Sequence, residues 1–155
     1  KLDNDRLEMR YSPPVTFFSG GGGLLSTASD YLAFCQMMLD GGELNGTRLL
    51  GPKTVEMMTA NHLTEQQMSS AVRAQGELSM GGCGFGLGFR VVIDVARNGV
   101  LGSEGIYSWG GAASTVFWID PKEELIAILM TQFMPSGHYP LRREFQVATY
   151  QALVE

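Results

Sequence analysis

The segment Gly105-Ile106-Tyr107-Ser108-Trp109-Gly110-Gly111-Ala112-Ala113-Ser114-Thr115 holds the residue types in this sequence best suited to chemistry. Two glycines follow an aromatic residue and precede a β-branched run. Glycine weakens a strand unless something must approach the backbone closely, and a substrate acyl group is such a thing. A backbone N–H placed there donates to the oxyanion that develops on an attacked carbonyl. The competing reading is a bulge or tight turn beneath an exposed Trp109, and the residues alone leave both open.

Other catalytic signatures fail on spacing. Gly46 and Gly51 are separated by four residues, like the start of a phosphate loop. Pro52 then intervenes before Lys53-Thr54 and takes the lysine off the phosphates. Gly82-x-Gly84-x-Gly86 lacks the dinucleotide spacing and runs into a strand, not a helix. No Gly-x-Ser-x-Gly elbow occurs. No serine, among them Ser26, Ser29, Ser69, Ser70, Ser103, Ser108 and Ser114, has a lysine three residues on, and no Tyr-x-Asn or Tyr-x-Ser is present. Glu123-Glu124 lies in a polar turn and reads as a solvated face. His62 and His138 are far apart and join no HExxH or Cys/His cluster, so no metal is expected. Cys35 and Cys83 belong to no Cys-x-x-Cys and read as small buried residues. No cofactor is expected.

The elements that must position this segment are legible in outline. The stretch 1–18 reads as an extended lead-in and Gly20-Gly21-Gly22-Gly23 as a flexible turn. Thr27 and Asp30 form a capping-box variant ahead of an apolar helix that ends at Gly41-Gly42. Asn45-Gly46 signals a turn. Pro52 opens a second helix, to about Ala60. The stretch 65–80 reads as a loop or a loosely helical excursion. Strands are expected over 90–93, 113–119 and 125–131, the last two joined as a hairpin across Asp120-Pro121-Lys122-Glu123-Glu124. The last strand is apolar on both faces and should be covered on both. Pro140 opens a final helix to about Val154, with Leu141, Phe145, Ala148 and Ala152 on one face. Helices, then about three antiparallel strands, then a helix make an α+β layout.

The 155 residues are about one domain's worth, 45% of them apolar and 17% charged, with 20 glycines. That composition builds a packed core with many tight turns rather than a disordered chain. With a net charge of −5 and Arg142-Arg143 as the only adjacent cations, nucleic acid is not an expected partner. The longest apolar run, 125–130, is strand-sized, so no membrane span is expected. The N-terminus begins mid-domain in character and says nothing of compartment, bacterial cytoplasm or periplasm.

Ser108-Trp109-Gly110-Gly111-Ala112 resembles the third active-site motif of serine β-lactamase-like hydrolases, in the Trp-x-Gly form common in family VIII carboxylesterases rather than the Lys-Thr-Gly of β-lactamases. Gly21-Gly22-Gly23-Leu24-Leu25-Ser26-Thr27-Ala28-Ser29-Asp30-Tyr31 is similar to a loop-to-helix start of that family. So are Gly41-Gly42-Glu43-Leu44-Asn45-Gly46, Met57-Met58-Thr59-Ala60-Asn61-His62-Leu63, Gly84-Phe85-Gly86-Leu87-Gly88-Phe89 and Asp120-Pro121-Lys122-Glu123 to segments in matching order. The resemblance implies the C-terminal part of the β-lactamase/penicillin-binding-protein fold over 1–155, an antiparallel sheet flanked by helices. It implies that the nucleophile and its lysine and tyrosine lie in an N-terminal portion of the same domain, which becomes the principal partner. The implied reaction is acyl transfer on a small-molecule ester or amide through an acyl-enzyme. Trp109 takes the place of the motif's lysine, Gly111 matches its glycine, and the Ala112 N–H supplies half the oxyanion hole. Tyr107, Ser108 and Gly110 line the substrate beside them. Without the lysine cation, neutral esters are favoured over the carboxylate-bearing substrates of a β-lactamase or D-peptidase. A non-catalytic binding module on the same scaffold is the alternative of another class. A lone half exposes a sheet edge and is expected to self-associate.

Overall fold

In the computed structural model of the protein, residue 16, residues 24–72 and residues 80–154 are described. The expected lead-in and the Gly20-to-Gly23 turn lie outside the described residues, apart from Thr16. Helix α1 (Ala28–Leu39) starts where its capping box predicts. The Asp30 N–H donates to the Thr27 hydroxyl at 3.1 Å, and the Thr27 N–H to the Asp30 carboxylate at 3.3 Å. Gly41 and Gly42 follow at positive φ, and a side chain on Gly42 would collide with the Leu50 backbone. The short strands β1 (Glu43–Leu44) and β2 (Thr47–Arg48) pair across Asn45-Gly46. Both turn residues are at positive φ, as the tightest hairpin turn requires. Helix α2 (Pro52–Thr59) opens on its proline.

The stretch read as a loop or a loosely helical excursion contains helix α3 (Glu65–Val72). A second reciprocal cap starts it: the Gln67 N–H donates to the Thr64 hydroxyl at 3.3 Å and the Thr64 N–H to the Gln67 side-chain oxygen at 2.9 Å. Thr64-x-x-Gln67 was therefore a legible signal.

The sheet has five strands, not the expected three. They are β3 (Cys83–Phe85), β4 (Arg90–Val92), β5 (Tyr107–Gly110), β6 (Val116–Asp120) and β7 (Leu125–Leu129). Each pairs antiparallel with the next in chain order, and a short helix α4 (Val95–Asn98) lies between β4 and β5. Strands β3 and β5 escaped the sequence reading because both contain glycine. A ladder is built from backbone N–H and C=O groups, which glycine supplies as well as valine. At Gly84 the reason for glycine is external: the Asn61 side chain lies where a Cβ would be. The loop between β6 and β7 is Pro121 to Glu124, one residue shorter than expected, because Asp120 pairs with Leu125.

Period-2 alternation sends the sheet's side chains to two cores. Cys35, Met38 and Val55 of α1 and α2 pack with Phe89, Val91, Tyr107, Phe117 and Ile119 on one face. Cys83, Val92, Ile106, Val116, Trp118 and Ala127 fill the other, under Phe145 and Tyr150 of the final helix α5 (Leu141–Gln151). Strand β6 is buried along its whole length, whereas β7 buries only Ala127 and leaves its other residues half-buried. Helix α5 is turned from the expected face. Ala148 and Ala152 are exposed, while Arg142 is buried and Phe145 and Tyr150 pack on Trp118. The rotation has a polar cause, the partners that Arg142 finds beneath β5.

The two sheet edges differ. The outer edge of β3 is covered by the segment after α2: the Phe85 N–H donates to Asn61 Oδ1 at 3.1 Å and the His62 N–H to the Phe85 carbonyl at 2.9 Å. Among the described residues, nothing pairs with the outer edge of β7.

Candidate active site

Strand β5 carries the Trp-Gly-Gly segment to the end of the sheet. Its pairing with β4 stops at Arg90 and Ser108, so Trp109 and Gly110 keep only β6 as a neighbour, through Phe117 and Val116. Alternation separates the sequence-predicted residues. Tyr107 and Trp109 face the α1 side. Ser108 faces α5, in a cavity of about 320 Å³ that it shares with Trp118, Arg142 and Arg143. Tyr107 is in the core against Phe89, 5.3 Å between ring centroids. The structure therefore brings Trp109, Gly110 and Gly111 together along one pocket, with Ala112 next to them in the chain. It places Tyr107 in the core on that face and Ser108 on the opposite face.

Trp109 is 42% exposed and stands edge-on to Phe85 at 5.2 Å. It walls a pocket of about 190 Å³ with Gly110, Gly111, Tyr31, Phe117 and Met130. Tyr31 and Phe117 meet edge-to-face at 4.9 Å and form the aromatic floor. Among the described residues, no charged side chain lines this pocket.

Gly111 to Ser114 close a tight turn, the Ser114 N–H donating to the Gly111 carbonyl at 3.1 Å. Neither Ala112 nor Ala113 is at positive φ, which makes the turn type I, and Ser114 follows at φ 64. The Gly111 N–H returns to the Thr115 carbonyl at 3.0 Å. The segment after β7 holds the far side: the Phe133 N–H donates to the Ala113 carbonyl at 3.1 Å and the Ser114 hydroxyl to the Phe133 carbonyl at 2.9 Å. Beneath it Arg142 Nη2 donates to the Gly111 carbonyl at 2.6 Å and to the Thr115 carbonyl at 2.9 Å. The carbonyls of Gly111, Ala113 and Thr115 are thus all engaged. The N–H groups of Ala112 and Ala113 have no acceptor among the described residues. Ala112 itself is exposed.

The site's own ionisable groups are poor nucleophiles and bases. Burial pushes the Cys35 thiol up to about 11 and raises the Tyr31 hydroxyl, and Cys83, in the opposite core, is raised by burial as well. Burial, then the nearby Cys35, raises the Tyr107 hydroxyl far above its ordinary value. What this surface offers a reaction is a shaped apolar pocket and an aimed backbone donor.

Tyr31, Phe117, Met130, Thr115 and Arg142 were missed in the sequence. They come from four separate elements or their flanks, and no linear window contains them. Arg142 was visible only as half of an adjacent cation pair.

A family model described as Beta-lactamase matches residues 2–151. Protein Rv1367c of Mycobacterium tuberculosis is 37% identical over 138 residues, which cover 87% of this chain and 34% of that protein. The chain thus spans about one third of the length of the curated relatives it matches. Among solved structures, simvastatin synthase (LovD) from Aspergillus terreus superposes with a TM-score of 0.71 at 25% identity, over 88% of this chain and 37% of that one. EstCE1, described as a hydrolase with promiscuous acyltransferase activity, gives a TM-score of 0.64 at 25% identity, over 83% and 31%. A penicillin-binding-protein homologue from Caulobacter crescentus, at 16% identity and a TM-score of 0.56, shares the fold.

Proposed function

This chain belongs to the beta-lactamase family, and we propose that within it the chain is the C-terminal part of an esterase-type serine hydrolase whose nucleophile lies in a preceding segment. The observation that supports this reading is the Ala112 N–H, free of any acceptor among the described residues and next in the chain to Gly111, which lines an apolar pocket with Trp109. The nucleophilic serine, activated by lysine and tyrosine of the other portion, attacks the ester carbonyl. Its oxygen becomes an oxyanion held by the Ala112 N–H. Collapse expels the alcohol with a proton from the base. Water then adds to the acyl-enzyme, releases the acid and restores the serine. A Ser-x-x-Lys is absent from the 155 residues, and the chain spans about one third of its relatives. Both facts support a nucleophile held elsewhere in the domain.

Fluorophosphonate labelling followed by denaturing intact-mass measurement tests the reading. Label is expected on a Ser-x-x-Lys segment that co-purifies with this chain or precedes it in one polypeptide. Label on residues 1–155 themselves would overturn it.

The pocket makes a specificity prediction. Trp109 closes it without charge, so Trp109→Lys is expected to lower kcat/KM for a neutral p-nitrophenyl ester by about tenfold and to raise that for an ester bearing a carboxylate, by supplying a cation at the rim. Steady-state kinetics on the two esters check it, and an unchanged ratio would sink the idea.

The open outer edge of β7 makes a second. Leu125, Ile126, Ile128 and Leu129 are only half-buried there, and Ile126 and Ile128 lie beside Ala28 and Leu32 of α1. Unpaired strand edges recruit other strands. Residues 1–155 alone are expected to self-associate through β7, and adding the preceding portion should return a single species. Size-exclusion chromatography reads this; a sharp monomer peak for the lone chain at high concentration counts against it.

A further inference from the structure

We infer that Arg142 is the positioning residue of the oxyanion donor, an inference that rests on the reading above and assigns the buried cation of α5 a part in it. Arg142 is 8% exposed, and its Nη2 reaches two carbonyls of the Gly111–Thr115 loop, at 2.6 and 2.9 Å. The Gly111 carbonyl and the Ala112 N–H belong to one trans peptide. In a planar trans unit the two bonds point in opposite directions. A guanidinium that holds the carbonyl from below therefore turns the N–H outward, toward the rim beside Trp109. A second peptide orientation would bury that N–H against a cation and strand the carbonyl.

Gly110 fits the same arrangement. A Cβ there would stand 2.8 Å from Cζ and Nη2 of Arg142 and equally 2.8 Å from the Thr115 carbonyl oxygen. The glycine before Gly111 is thus what allows the guanidinium to pass under the strand. The loop closes through its own bonds, Ser114 to Gly111 and Gly111 to Thr115, and the arginine adds a charged donor to the Gly111 carbonyl that the Ser114 N–H also meets. Burying a guanidinium has a desolvation cost, and here the carbonyls of Gly111 and Thr115 both offset it, the first belonging to the peptide that carries the Ala112 N–H. A charge-assisted bond to the carbonyl also polarises the amide and strengthens its N–H as a donor.

The test uses the assembled protein, this chain joined to the portion that carries the nucleophile. Arg142→Met keeps the stem's packing and removes the cation. Its kcat on a neutral p-nitrophenyl ester is expected to fall about 100-fold, with KM changed by less than about threefold, because an aimed donor acts in the transition state and not in ground-state binding. Arg142→Lys, which restores a cation but not the fork, should recover part of the loss. Guanidinium ion at millimolar concentration should raise the kcat of Arg142→Ala without affecting the wild type, since the adjoining cavity of about 320 Å³ has room for it. Gly110→Ala, with Arg142 intact but displaced, should repeat the kcat loss. Wild-type kcat in Arg142→Met overturns the inference and leaves the proposed function standing. A loss of kcat that follows the melting temperature, with no recovery by lysine or guanidinium, reduces Arg142 to a structural role and also overturns it. If Arg142→Met does not fold, the lysine variant and the rescue decide in the same terms. A wild-type protein that neither turns over esters nor takes a fluorophosphonate overturns the proposed function and this inference together.

Discussion

Ala112→Pro in the assembled protein is expected to lower kcat by about 100- to 1,000-fold, the effect of removing one oxyanion donor. Proline deletes a single backbone N–H and fixes φ near the helical value. Ala112 occupies the second position of the type I turn closed by Ser114 and Gly111, the position at which proline is favoured. The N–H it removes has no acceptor among the described residues, so no internal hydrogen bond is lost with it. Proline also restricts the preceding residue to extended backbone, and Gly111, which continues β5, is not at positive φ. The melting temperature should therefore be almost unchanged while kcat collapses and KM stays put. Ala112→Ser keeps the N–H and should behave as wild type. Parallel steady-state kinetics and thermal melts of the two variants check this, and a proline variant with wild-type kcat would remove Ala112 from the oxyanion hole.

Trp118→Ala is expected to destabilise the fold by about 3–5 kcal/mol, the range for deleting a large buried aromatic side chain. Trp118 is 2% exposed on the fully buried β6. Phe145 meets it edge-on at 5.2 Å and Tyr150 stacks with it at 6.4 Å, so it forms most of the seam between the sheet and α5. Tyr150 is held in turn by donating its hydroxyl to buried Asp120 at 2.7 Å. Folded domains keep only about 5–15 kcal/mol in reserve, so this one truncation removes a large share. Trp109→Ala is the internal comparison. That residue is 42% exposed and meets Phe85 edge-on, so its loss should cost about 1 kcal/mol and act on substrate binding instead. Urea denaturation followed by circular dichroism separates the two, and equal stabilities would contradict the burial that distinguishes them. The comparison also bears on Arg142, because loosening α5 through Trp118 should weaken the grip on Gly111 and lower kcat alongside stability.

Helix starts were legible because their chemistry is local. Thr27 with Asp30, Pro52, and Thr64 with Gln67 each satisfy an orphan backbone donor, or dispense with one, within a single turn. The last of these passed unread beneath a Gln- and Ser-rich surface. Strands β4, β6 and β7 were legible from their β-branched and apolar runs. Strands β3 and β5 were not, because glycine conceals a ladder that lives in the backbone.

The same division runs through the site. The sequence by itself indicated the family, from the order of its segments, and singled out the Trp109-Gly110-Gly111-Ala112 segment, from two glycines beside a tryptophan, while leaving a tight turn there as the other reading. These are properties of neighbouring residues, and neighbours in sequence stay neighbours in the fold. Only the tertiary structure decided that Ser108 faces away from the rim, that Tyr31 and Phe117 floor the pocket, and that Arg142 reaches Gly111 from 31 residues away. Strand alternation, the rotation of α5 about its axis and the pairing of distant strands set those contacts. Each is the outcome of packing many side chains at once, which no single window of the chain contains.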